Sequence, residues 1–138
     1  MNHAKWLAWV LRANGVAMIF ALPAVFMPVE WMAVAHGKLG LGTFPDGVIV
    51  QYLARTISGL YVLLGLLTVK MSLDIAPYLS LIRFWAVLNL VAGVVLLGLD
   101  IYLQLPLFWI VVQGPYVISY SGVLLGLERG MRSARCRG

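Results

Sequence analysis

The sequence has 138 residues, of which 62% are hydrophobic and only 11% are charged, and its formal net charge is +5 at pH 7. Soluble globular domains are roughly half apolar, so this composition excludes an ordinary water-soluble domain. A nucleic-acid-binding domain is excluded as well. Its basic residues would form a stripe interleaved with aromatic residues, whereas here they lie between and after apolar blocks.

The apolar residues fall into four blocks of about 20 residues, the length that a helix needs to cross a hydrocarbon core of ~30 Å. The blocks predict helices over about residues 6–28, 47–71, 77–102 and 106–127. We expect Asp46 to cap the second helix, and Asp74, followed by Pro77, to cap the third. The short connections indicate antiparallel neighbours. The sequence therefore predicts an all-α integral membrane four-helix bundle, a single domain of residues 1–138.

The distribution of Lys and Arg predicts the orientation, because basic residues accumulate on the cytoplasmic side of a membrane. One side of the predicted bundle carries Lys5, Arg12, Lys70, Arg83, Arg129, Arg132, Arg135 and Arg137. The other side carries only Lys38 and Arg55. We therefore expect both termini to be cytoplasmic, with residues 128–138 as a basic cytoplasmic tail and residues 29–46 as an external loop.

A faint internal repeat relates the two halves of the chain. Residues 27–32 resemble residues 105–110, and residues 57–66 resemble residues 118–127. A tandem duplication of one helical hairpin would leave this pattern. Apolar sequence of low complexity produces such matches by chance as well, so both explanations stay open.

Most of the polar residues that lie at membrane depth are near the external end. A stripe at helical spacing on the second helix consists of Gln51, Arg55, Ser58, Val62 and Gly65. Arg55 needs a partner, because an unpaired Arg in hydrocarbon costs at least a few kcal/mol. Glu30 and Asp100 are the expected acidic partners. The Arg could instead reach outward to the interface, or the group could bind an anionic head group or carboxylate.

Two faces of the fourth helix are candidates for function. Gln113, Tyr116 and Tyr120 share one face next to a proline kink, where they could line a small polar cavity or pack around the kink. Another face carries the small residues Ser119, Gly122 and Gly126, which would let helix backbones approach closely. That contact could lie within the bundle or between protomers, so this face predicts self-association or a protein partner.

His36 lies in a glycine-rich stretch, residues 36–42. The stretch lacks the GKS or GKT ending of a phosphate-binding loop. The only other histidine, His3, belongs to the opposite side of the predicted membrane, so no multi-histidine metal site is expected. A solvated loop histidine and a catalytic histidine are both compatible with this position. No cofactor and no metal site are expected.

A resemblance covers the run from Pro28 to Tyr61 and a part of the fourth helix. It rests on Trp31–Met32, His36, Leu39–Gly42, Phe44–Pro45, Tyr52–Arg55, Ser58 and Gln113–Pro115. These residues resemble a group of small bacterial four-helix membrane proteins that carry no assigned function, and the chain is similar in size and topology to the DoxX-like group. The resemblance implies a bacterial inner-membrane protein and supplies no activity, substrate or catalytic residue.

Three functional hypotheses follow. The first is a non-enzymatic membrane protein that acts through helix packing, as a homo-oligomer or as an accessory subunit of a larger membrane complex. The second is a module that binds or transports a small molecule, lipid or ion at the polar site around Arg55. The third is a membrane enzyme that uses His36. The lipid bilayer is a partner in each case, and nucleic acid is not.

Labelling with a membrane-impermeant thiol reagent tests the orientation. We expect a cysteine introduced by Gly42→Cys, in a chain that also carries Cys136→Ser, to react in intact cells. The native Cys136 should react only after the cells are opened. Equal reaction of both thiols from the outside would overturn the predicted topology.

Overall fold

The computed structural model describes residues 3–45 and 47–135. Their regular structure consists of α1 (His3–Ile19), α2 (Leu22–Phe26), α3 (Val29–Lys38), α4 (Val48–Leu73), α5 (Ile75–Tyr102) and α6 (Leu107–Arg135). Among these described residues, four segments are long and apolar enough to cross a membrane: His3–Phe26, Val48–Leu73, Ile75–Tyr102 and Leu107–Ser133. The predicted all-α class, with the four long apolar helical segments of a membrane bundle, is confirmed.

The first of these segments is interrupted, although the sequence predicted one helix over residues 6–28. It begins earlier, at His3, and α1 ends at Ile19, four residues before Pro23. Proline has no N–H to donate to the carbonyl four residues back, and its ring clashes there. The chain makes a turn in which the Ala21 N–H donates to the carbonyl of Met18 at 3.1 Å, and then resumes as α2.

The predicted external loop, residues 29–46, contains the ten-residue helix α3. Gly40 has φ +74°, a left-handed conformation that favours glycine and ends the helix. The N–H of Leu41 donates to the carbonyl of His36, and the N–H of Gly40 donates to the carbonyl of Gly37. This pair of bonds is a Schellman motif. The glycine-rich stretch is therefore a helix terminator.

The remaining helix ends lie close to the predicted ones, except the C-terminal end of α6. Asp74 occupies the N-cap of α5 as expected, but its side chain makes no capping hydrogen bond. α6 continues to Arg135 and does not end near residue 127. The extra turns contain good helix formers and an ion pair between Glu128 and Arg132, four residues apart.

Some predictions fall on residues that the structure does not describe. Asp46, the expected cap of the second helix, lies outside the described residues, as do Cys136 and Arg137 of the expected tail.

The chain divides into two compact units: unit 1, Met1–Val10 with Met71–Gly138, and unit 2, Leu11–Lys70. In unit 1, α5 and α6 pack as an antiparallel pair. The buried residues of α5 recur at intervals of three, four or seven, and are Ile75, Leu79, Ile82, Ala86, Gly93 and Asp100. A Cβ added at Gly93 would lie 2.9 Å from Cγ1 of Ile118, and one at Gly114 would lie 2.6 Å from Cβ of Leu97. The two glycines therefore set the approach of these helices.

In unit 2, α1 and α4 run antiparallel and approach most closely at a pair of glycines. A Cβ added at Gly65 would lie 2.7 Å from the carbonyl oxygen of Gly15, and a Cβ at Gly15 would lie 2.8 Å from that of Gly65. Gly65 is buried, and the rest of its stripe on α4 is half-buried: Gln51, Arg55, Ser58 and Val62. The stripe faces inward, as the sequence predicted.

The outer surfaces of the long helices are apolar. Leu63 on α4, Phe84 on α5 and Val111 on α6 each expose more than half of their surface, and many neighbouring Leu, Val and Ile side chains do the same. A soluble monomer rarely exposes contiguous apolar surface of this extent. The segments indicate a multi-pass membrane protein whose outer faces are suited to contact with lipid.

The glycine contact in unit 2 gives a stability prediction. We expect Gly65→Ala to lower the free energy of unfolding by about 1–3 kcal/mol, because its methyl group would collide with backbone and not with a movable side chain. Gly59→Ala, also on α4, is the matched control, since a Cβ there meets no described atom within 4 Å. It should leave stability unchanged or raise it by up to about 1 kcal/mol through helix propensity. Thermal unfolding in detergent measures both, and equal shifts would contradict the close contact.

Candidate functional site

Arg55 binds a backbone carbonyl. Its Nη2 donates to the carbonyl oxygen of Met27 at 3.2 Å, which joins α4 to the turn between α2 and α3. The sequence suggested a carboxylate partner, but Glu30 is exposed in the first turn of α3 and forms no ion pair within residues 3–45 and 47–135. The expected contact of Arg55 with Glu30 is therefore replaced by a carbonyl contact. A charged donor is satisfied there without burying a second charge.

Asp100, the other expected acidic partner, is only 4% exposed. Its Oδ2 has no hydrogen-bond partner in the described part of the chain. Its backbone carbonyl accepts a hydrogen bond from the N–H of Leu105 at 3.0 Å, which closes the turn between α5 and α6. The residue thus holds the turn through its backbone, and its carboxyl group is buried.

His36 is engaged with its own loop. Nδ1 lies 3.3 Å from the carbonyl oxygen of Gly42, to which it donates when protonated. The ring also meets Phe44 edge-on, with the centroids 5.4 Å apart and the planes at 85°. Both contacts fix the segment that follows α3. Within the described residues, no three His, Cys, Asp or Glu side chains come together as a metal site would require.

The aromatic face of α6 is partly buried. The rings of Tyr116 and Tyr120 stack, with centroids 6.3 Å apart and an interplanar angle of 13°. Tyr116 is 53% exposed and Tyr120 is 8% exposed, and Gln113 is half-buried. Pro115 lies inside α6 without ending it. The three predicted residues share one side of the helix, and two of them are held by each other.

The small-residue face of α6 is open. Ser119, Gly122 and Gly126 are exposed, and a Cβ added at either glycine would meet no described atom within 4 Å. This distinguishes the two glycines from Gly65 and Gly93, which lie against a neighbouring helix. The predicted packing face is therefore unoccupied by the described part of this chain.

The sequence did not single out Glu128, which is only 1% exposed. It forms an ion pair with the Nε of Arg132, whose side chain is about half-exposed. Nearby in unit 1, a Cβ at Gly130 would lie 2.8 Å from Cε1 of His3, so the ring of His3 rests on α6. The sequence predicts residues 128–138 as a basic cytoplasmic tail, whereas residues 128–135 continue α6. The Glu–Arg spacing of four residues was the signal for a continued helix.

A second unexpected feature is an open groove of about 460 Å³ on α3, lined by Met27, Trp31, Val34, Ala35 and Lys38. The sequence predicts this segment as part of the external loop, residues 29–46, whereas Val29–Lys38 is helical. The spacing of Trp31, Val34, Ala35 and Lys38, at three and four residues, would have indicated a helix face.

Comparison with known proteins finds no matching family, no similar curated protein and no similar solved structure. The resemblance to small bacterial four-helix membrane proteins therefore stays a prediction.

The carbonyl contact of Arg55 predicts a small effect of its removal. We expect Arg55→Leu to change the free energy of unfolding by less than about 2 kcal/mol. The substitution removes one hydrogen bond from a charged group, but it also removes the cost of holding that charge away from water. Glu30→Gln is the control and should be neutral. Thermal unfolding in detergent measures both changes. A loss of about 3–5 kcal/mol in Arg55→Leu would instead indicate a buried carboxylate left without its partner.

Proposed function

We propose that this chain is a non-enzymatic multi-pass membrane protein that acts through helix association, and that α6 pairs with α6 of a second copy. The observation that carries this proposal is the open small-residue face of α6, defined by Ser119, Gly122 and Gly126. Small residues at this spacing let two helix backbones approach closely in lipid, where dispersion and short polar contacts drive association.

The positions of other glycines in the chain support this proposal. Gly15, Gly65, Gly93 and Gly114 each lie where an added Cβ would meet a neighbouring helix at 2.9 Å or less. Glycine inside a helix costs about 1 kcal/mol relative to alanine, and at these four positions the cost is offset by close packing. Gly59 and Gly98 are open as well, so an uncovered glycine does not by itself indicate a partner. Gly122 and Gly126 differ in lying four residues apart on one face with Ser119, the spacing that a helix contact in lipid uses.

The internal repeat adds a second argument. In the alignment of residues 57–66 with residues 118–127, Gly126 corresponds to Gly65. Gly65 lies against Gly15 in unit 2, whereas the position of Gly126 in unit 1 is open. The position that makes a helix contact in the first hairpin is thus still free to make a helix contact in the second hairpin.

Two of the polar candidates, Arg55 and His36, are engaged within the fold, which favours a structural role for them over catalysis or transport. Arg55 donates to Met27, and His36 is held by Gly42 and Phe44. A binding module at Arg55 or an enzyme built on His36 would have to break these contacts first. Both hypotheses are therefore secondary to helix association.

We place the protein in a bacterial inner membrane with both termini in the cytoplasm. The excess of basic residues on one side of the predicted bundle supports this orientation. The resemblance to small bacterial membrane proteins supports the location. An accessory subunit of a larger complex would use the same face of α6, with a helix of another protein in place of the second copy.

Size measurement in mild detergent tests the association. We expect the wild-type chain to be a dimer by light scattering and Gly126→Leu to weaken dimerisation on the order of tenfold or more, because the side chain separates the two backbones. Gly98→Leu on α5 is the matched control, since its Cβ also meets no described atom within 4 Å. It should remain dimeric. Because both glycines are open, a Cβ at either position collides with no described atom of the fold. A loss of the dimer in Gly126→Leu alone therefore reports on assembly and not on folding.

A wild-type chain that is monomeric in detergent and in nanodiscs would contradict self-association. Equal weakening by Gly98→Leu would contradict the assignment of the contact to α6. A different outcome is that a protein copurifies in stoichiometric amount with the wild-type chain from native membranes and is lost in Gly126→Leu. That result would show that this protein, and not a second copy, is the partner of α6.

A further inference from the structure

The groove on α3 differs from the other apolar surfaces because a charge belongs to its lining. Met27, Trp31, Val34 and Ala35 contribute apolar atoms, and Lys38 contributes the one charged side chain of the lining. Trp31 is 66% exposed, so its indole is available to a molecule in the groove. The volume of about 460 Å³ lies within the range of small-molecule sites.

The ammonium group of Lys38 is not used by the fold. It lies in the last turn of α3, where a Lys often serves the terminal carbonyls. Here the N–H groups of Leu39, Gly40 and Leu41 already donate to the carbonyls of Ala35, Gly37 and His36. Lys38 has no hydrogen-bond or ion-pair partner among the residues that the structure describes. The lining of the groove thus contains an exposed cation without a partner among the described residues.

The place of α3 in the chain puts this groove at the edge of the membrane. The first membrane-spanning segment ends at Phe26, and the next begins at Val48. α3 begins directly after the first of them, at Val29. Buried Met32 and half-buried His36 lie away from the groove face, so α3 rests on the protein through one side and presents the groove on the other. Trp31 is exposed on this face, and tryptophan is enriched in the interface between head groups and acyl chains.

We propose that the groove binds one anionic phospholipid of the surrounding bilayer. An acyl chain lies along Met27, Trp31 and Val34, and the head-group phosphate pairs with Lys38. An apolar groove with a single unpartnered cation is complementary in charge and polarity to such a lipid. Zwitterionic lipids offer the same acyl chains but carry a positive group beside the phosphate, so they bind the groove more weakly. This site is independent of helix association through α6.

Quenching of tryptophan fluorescence by brominated lipid tests the proposal. The full chain is reconstituted in phosphatidylcholine vesicles that contain rising fractions of dibrominated phosphatidylglycerol, or of dibrominated phosphatidylcholine in a parallel series. The contribution of Trp31 is the difference between the wild-type chain and Trp31→Phe, which keeps an aromatic ring in the groove. We expect this contribution to be quenched at lower fractions of the anionic lipid than of the zwitterionic one.

Lys38→Gln should remove the preference. One Lys near a membrane surface attracts anionic lipid by about 1 kcal/mol, so the fraction of anionic lipid at half-quenching should rise about fivefold in this variant. Quenching by the zwitterionic lipid should not change. Lys70→Gln, an exposed Lys at the far end of α4, is the matched control and should behave like the wild-type chain.

Four results would overturn the proposal. The first is equal quenching of Trp31 by both lipids in the wild-type chain. The second is an unchanged anionic preference in Lys38→Gln, and the third is an equal loss of preference in Lys70→Gln, which would indicate a general surface charge. The fourth is a dimer that is lost in Trp31→Ala, which would show that a second copy occupies the groove instead. Unchanged helical circular dichroism confirms that each variant is folded.

Discussion

Close approach of helix backbones at glycine is the constraint on which this fold depends. In lipid, helices gain little by burying apolar side chains against one another, since acyl chains are equally apolar. Association must then come from tight packing. Gly15 and Gly65 bring α1 against α4, and Gly93 and Gly114 bring α5 against α6. Within each unit, the position of the helices follows from where a missing side chain lets two backbones meet.

Polar side chains obey a related constraint, because an unsatisfied polar group is expensive in an apolar medium. Several find an acceptor on their own helix, four residues back. Thr68 donates to the carbonyl of Leu64, Asn89 to that of Trp85 and Ser121 to that of Val117, at 2.7–2.8 Å. Arg55 uses a carbonyl as well, that of Met27. Lys38 and the Oδ2 of Asp100 are exceptions, because neither has a hydrogen-bond partner among the described residues. Of the two, only Lys38 is exposed.

Two features of the site could not be predicted from the sequence, and each has a physical reason. Charge matching led us to expect Glu30 beside Arg55, because the residue types alone cannot show that the carbonyl of Met27 lies within hydrogen-bonding distance of Arg55. The groove was missed because Gly37, Gly40 and Gly42 resemble a flexible loop in sequence. In the structure, one of them takes the left-handed conformation that ends a helix, and the helix before it presents Trp31 and Lys38 together.

The sequence by itself determined the four apolar segments, the helical class and the inward face of α4, since length, hydropathy and helical spacing are local properties of the chain. It also indicated which residues were small enough for helix contact. Only the tertiary structure decided that Gly15, Gly65, Gly93 and Gly114 are in contact while Gly122 and Gly126 are open. Whether a glycine is covered depends on the register of a distant helix, and no local pattern encodes that register.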